Sequence, residues 1–84
     1  MKYYAKVVTF DAGTEFNKQY AMSNLKLGEK YEMNDLIIGS WYTDVYLKGF
    51  EQPFNSVYFE FADEDGVAYD LLDVPIATNL YKWN

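Results

Sequence analysis

No cysteine and no histidine occur among the 84 residues, and all seven basic residues are lysine. Each absence excludes a chemistry. Without cysteine there are no disulfide staples and no thiolate ligands. Without cysteine and histidine together, zinc sites of the usual kind cannot form. Lack of histidine removes the side chain that titrates nearest neutral pH, and with it Ser–His–Asp and Cys–His catalysis. Lack of arginine removes the planar fork that grips phosphate or guanine bidentately. No apolar run approaches the roughly 18 residues of a membrane span. Met1-Lys2-Tyr3-Tyr4 is not followed by the apolar stretch of a signal peptide. These absences point to a cytosolic protein with no cofactor and no metal, and to a role other than catalysis.

What the chain has in quantity is aromatic: nine Tyr, six Phe and two Trp. A single domain spanning 1–84 buries roughly 60% of its unfolded surface. Large aromatic side chains, at about 150–250 Å² each, offset that small size. Charge is divided along the chain. Residues 1–48 balance six lysines against six acids, whereas residues 49–84 set seven acids against Lys82, so the whole net charge of −6 arises in the second part. Such an acidic pole suits a partner with a basic surface, and it also serves plain solubility.

Short apolar or alternating runs separated by turn signals predict a mainly β fold, a small antiparallel five-stranded barrel or meander of SH3-like or OB-like type. Strand one covers Lys2 to Phe10, rich in residues that favour a pleated surface. Residues 15–25 read as a long loop. A two-layer α+β fold with one short helix in 14–25 is the alternative, because Phe16 and Tyr20 are four apart. Leu27-Gly28-Glu29 turns into strand two, where Tyr31 and Met33 share a face and Asn34-Asp35 marks a kink before Leu36-Ile37-Ile38. After Gly39-Ser40, parity puts Trp41, Thr43, Val45 and Leu47 in the core and Tyr42, Asp44, Tyr46 and Lys48 outside. In strand four Val57, Phe59 and Phe61 point inward, and Ser56, Tyr58 and Glu60 outward. Asp63-Glu64-Asp65-Gly66 is a tight turn. Val67 to Leu72 return as strand five, which Pro75 stops. Leu80, Tyr81 and Trp83 are expected to be pinned to the core.

Three segments carry a resemblance: Leu27-Gly28-Glu29-Lys30-Tyr31, Gly39 to Phe50, and Phe54-Asn55-Ser56-Val57-Tyr58-Phe59-Glu60. Their cadence, a G-x-x-Y opening, a Y-T-x-V-Y-L strand and an N-S-V-x-F strand, resembles small accessory proteins of phages and prophages in Gram-positive bacteria. That group has no agreed activity, so the resemblance implies an accessory phage protein and no catalytic residue.

Two candidate surfaces follow from the residues. One is aromatic: Tyr42, Tyr46 and Tyr58 fall on the outer parity of adjacent strands, with Phe50 and Phe54 on the loop between. Tyrosines so placed suit a protein interface or stack single-stranded bases, and the plainer reading is a second buried face. The other is acidic: Glu60, Asp63, Glu64, Asp65 and Asp70. These carboxylates can stand in for the phosphates that a lysine- and arginine-lined channel would bind. As an EF-hand the turn fails, because no bidentate Glu follows at the required spacing. The expected function is a protein-binding module of phage type, in its concrete form an acidic inhibitor of a host or defence nucleic-acid-handling enzyme, of anti-CRISPR or anti-restriction kind. The partner is then a protein, with no direct nucleic-acid binding and no membrane. The alternatives are a single-strand-binding OB-like module and a virion component.

Overall fold

The computed structural model describes residues 1–80. Among these residues the fold is mainly β, as expected, with seven strands rather than five and one helix. In chain order they are β1 (Tyr3–Val7), α1 (Glu15–Asn24), β2 (Lys30–Ile38), β3 (Thr43–Leu47), β4 (Phe54–Asn55), β5 (Phe59–Asp63), β6 (Ala68–Tyr69) and β7 (Ala77–Asn79). Strand neighbours run β4-β3-β2-β1-β5-β6, with β7 beside β2, so the sheet stays open and no barrel closes.

β2 is the strand on which everything else is arranged. Its first residues pair with β1, Lys30 to Lys6 and Glu32 to Tyr4. Its later residues pair with β3 on one edge and with β7, in parallel, on the other. The expected kink is a bulge: Met33 faces Leu47 and Asp35 faces Tyr46, which leaves Asn34 as the extra residue. A bulge bends the strand and sharpens its twist, which lets one strand serve both parts of the sheet.

The loop expected over 15–25 is a helix. Thr14 caps it, its Oγ1 accepting from the Asn17 N–H at 3.2 Å, and Glu15 places a carboxylate in the first turn, where the helix dipole favours it. The pattern was hard to see because Phe16 is 81% exposed. The packed face is Tyr20, Ala21 and Leu25, and the Tyr20 ring stacks on Phe54 at 4.6 Å. This helix lies on the core side of the sheet, with Ala5, Val7, Leu36, Val45, Leu47, Phe59 and Phe61 in the same cluster.

Three other expectations need correction. Ser56–Tyr58 is a 3-10 turn, nucleated by Asn55 Oδ1 accepting from the Val57 N–H. That turn breaks strand alternation, so Val57 is exposed and Tyr58 is fully buried. Val67 to Leu72 yields only the two residues of β6 before a second 3-10 turn at Leu71–Asp73. Leu80 is held by its backbone, its N–H donating to Ile38 O at 3.1 Å, while its side chain is exposed. Tyr81 and Trp83 lie outside the described residues.

Candidate protein-contact site

The aromatic platform expected from parity is not assembled. Tyr58 and Phe54 are core side chains, the Tyr58 hydroxyl donating to Ala12 O at 2.9 Å. Phe50 is half-buried, packed edge-on against both Tyr31 and Phe54. Tyr46 is half-buried on β3, and Tyr42 alone of the five is exposed.

Another aromatic stands out instead. Trp41, expected in the core, is 91% exposed. It lies in the turn between β2 and β3, before strand alternation begins at Thr43. The turn is tight: the Gly39 N–H donates to Tyr42 O at 3.2 Å, and a Cβ on Gly39 would sit 3.0 Å from that oxygen. β7 runs parallel to β2 and carries Leu80 to the same end through its bond to Ile38. Trp41, Tyr42 at 60% and Leu80 at 64% exposure thus lie at the same end of the sheet. The signal available in the sequence was the Gly39-Ser40 pair, which places Trp41 in a turn, where parity does not apply.

The acidic residues divide into two roles. Asp63 is 6% exposed and organises the turn it opens. Its Oδ1 accepts from the N–H groups of Asp65 at 2.9 Å and Val67 at 3.0 Å, and its Oδ2 from the Tyr69 hydroxyl at 2.9 Å. Burial alone would push this carboxyl up, but those hydrogen bonds outweigh it and hold Asp63 below the ordinary carboxylate value. The same bond pushes the Tyr69 hydroxyl up. Asp63 therefore serves the structure of its turn and is not available to a partner, contrary to its expected place among the acidic contact residues. Glu60, Glu64, Asp65 and Asp70 remain exposed along the β5–β6 side. They form an acidic border, separate from the Trp41 turn.

Among the described residues no group of three or more carboxylates converges as a metal ion would need, and no helix is long and apolar enough to cross a membrane. The site is a surface: an apolar knob at one end and acids along one side.

No curated protein and no solved structure matches the chain. A protein-family model described as Bacteriophage T4 protein Y07B matches residues 2–82. That match carries the phage part of the resemblance and nothing of a Gram-positive lineage. With nearly its full length covered, the chain belongs to the family of Bacteriophage T4 protein Y07B.

Proposed function

We propose that the chain is a non-enzymatic protein-binding module of a phage, working in the cytosol of the host cell. The observation that carries this reading is the exposed Trp41–Tyr42 pair, with exposed Leu80 at the same end of the sheet. Tryptophan and tyrosine dominate interface hot spots because they bury much area with little loss of side-chain freedom. Holding a tryptophan almost wholly in water is unfavourable for an isolated chain, at about 25 cal/mol per Å² left uncovered, so its placement on a tight turn fits a role in contact. The finer form of the proposal adds the acidic border. Glu60, Glu64, Asp65 and Asp70 steer the module toward a partner with a basic groove, such as a nucleic-acid-handling enzyme that it inhibits.

The test is capture from phage-infected host lysate with the tagged protein, set beside Trp41→Ala and Tyr42→Ala. Both side chains are exposed, so both variants should fold. The reading expects a protein retained by the wild type, lost with either variant, and displaced by duplex DNA. Equal capture by all three chains would refute the tip as the contact. Retention that DNA does not disturb would refute the nucleic-acid-handling partner while leaving the module.

A further inference from the structure

The sheet face opposite the helix carries an ordered pattern that the Trp41 turn does not use. On β1 the outward side chains are Tyr4 and Lys6, with Lys2 just before the strand. On β5 they are Glu60 and Ala62, with Glu64 just after it. Register aligns them in rows: Lys6 with Glu60, and Tyr4 with Ala62. Lys2 and Glu64 extend the series, the Glu64 N–H donating to Lys2 O at 2.9 Å and one oxygen of its carboxylate, Oε1, accepting from the Lys2 N–H at 3.0 Å. Each row crosses the β1–β5 seam from lysine to glutamate or from large to small. Ala68 lies beside Ala62 on the next strand and widens the low side. The result is an open groove of about 940 Å³ with Tyr4 and Lys6 on one flank, Glu60 and Asp70 on the other, and alanines in its floor.

Lys6 and Glu60 are exposed and opposite in register, yet the one ion pair among the described residues is Lys2 with Glu32, at 3.9 Å. Opposite charges on neighbouring strands contribute to a sheet even without close contact. They do not account for the order of the β1–β5 rows, which set Lys2 and Lys6 on one side and Glu60 and Glu64 on the other, with Glu32 of β2, paired to Lys2, as an acid on the lysine side.

A face of this kind is complementary to itself. Consider a two-fold axis parallel to the strands, lying over the β1–β5 seam. Rotation keeps each row at its height and exchanges its two sides. Lys6 of one copy then meets Glu60 of the other, the Tyr4 ring enters the low floor over Ala62 and Ala68, and Lys2 comes over Glu64, whose carboxylate also accepts from the Lys2 N–H of its own chain. Symmetry makes every contact occur twice, as in any isologous interface. Two sheets packed with their strands nearly aligned is an ordinary arrangement, offset by about 30° of twist.

We propose that the chain pairs with a second copy of itself, sheet face to sheet face, through these rows. The pairing goes beyond the Trp41 contact and leaves that turn free on each copy.

Sedimentation velocity at low ionic strength tests it. The wild type should form a dimer that added salt weakens, because exposed charges are screened beyond about 8–10 Å. Lys6→Glu and Glu60→Lys should each give monomers, with association weaker on the order of a hundredfold, since each places two like-charge pairs in the interface. The decisive sample is the mixture of the two variants. One chain then carries Glu at 6 and Glu at 60, the other Lys at both, and every facing pair is again opposite in sign. A heterodimer in that mixture supports the proposal, because charge pairing within one chain cannot be restored by mixing. Circular dichroism on each variant confirms that it is folded. A wild type that stays monomeric at low salt overturns the proposal. So does a dimer that survives both substitutions, or one that Trp41→Ala abolishes, for then the contact lies elsewhere.

Discussion

Tyr58 offers the most direct check on the core. Its side chain is fully buried, and its hydroxyl donates to Ala12 O at 2.9 Å across to the loop before α1. Gly13 lies against the same oxygen: a Cβ there would be 2.6 Å from Tyr58 Oη and 3.4 Å from Cζ, on a backbone with φ of +76°. Tyr58→Phe removes the donor and leaves a part-buried carbonyl short of a partner, at about 1–2 kcal/mol. Tyr58→Ala empties the site, at about 3–5 kcal/mol. Gly13→Ala costs about 1–2 kcal/mol for a left-handed backbone with a side chain, plus the clash with the hydroxyl. In the Tyr58→Phe background the clash is gone, since the nearest ring carbon stands at ordinary contact distance. The double variant should therefore be less destabilised than the sum of the singles, by about 0.5–1.5 kcal/mol. Urea titration followed by far-UV circular dichroism measures all four chains. With a slope of about 1 kcal/mol per molar for a domain this small, Tyr58→Phe alone should move the midpoint by about 1–2 M. A neutral Tyr58→Phe together with strict additivity would refute the packing, and would return Tyr58 to the outer face that strand parity assigns it.

Three further outcomes follow from the groups described. At pH 7, Asp63→Asn should lower the urea midpoint more than Glu64→Gln or Asp65→Asn, because only Asp63 is buried and bonded within its turn. The depressed Asp63 carboxyl contributes stability that is present above its ordinary value of 3.8 and lost as pH falls through its lower folded value, so the acid limb of the wild type should steepen there and that of Asp63→Asn should not. Tyr69, held by its bond to Asp63, and Tyr20 and Tyr58, held by burial, all have hydroxyls raised above 10; their contribution is complete below pH 10 and lost as pH rises through the raised values, which tyrosinate absorbance against circular dichroism will follow. Fluorescence anisotropy should find no binding to single-stranded DNA at physiological salt, because a net charge of −6 without arginine repels a polyanion; micromolar binding with a steep salt slope would overturn this.

The strands that were legible are those whose alternation is long and uninterrupted. Thr43, Val45 and Leu47 point inward as read, as do Met33, Phe59 and Phe61. The Asn34-Asp35 kink was legible because two adjacent polar, turn-prone residues interrupt the alternation between Met33 and Leu36. The helix was legible only as the alternative, from the four-residue spacing of Phe16 and Tyr20, because of its ten residues only Ala21 is fully buried and the apolar stripe is faint. Its true marker was Thr14 with Glu15 after it, a capping signal. The errors at Trp41 and Tyr58 share one cause. Parity does not hold beyond the ends of the strands, and Trp41 lies within a tight turn and Tyr58 within a 3-10 turn, where side chains do not alternate.

Long-range pairing was the part that local pattern could not supply, and it changes what the charge distribution means. Along the chain, lysines belong to the first part and the surplus of acids to the second. Read linearly, that is an acidic pole. In the fold, β1 from the first part pairs along its whole length with β5 from the second, Tyr3 to Asp63 through Val7 to Phe59. The division along the sequence thereby becomes a division across one sheet face, with Lys2 and Lys6 on one side of the β1–β5 seam and Glu60 and Glu64 on the other, Glu32 on the lysine side being paired to Lys2. A surface with two adjacent halves of opposite sign has a different set of good partners from a uniformly acidic one. It repels a polyanion on one half and a polycation on the other, and it fits best a surface with the same two halves reversed. A second copy of the chain turned about that seam is such a surface.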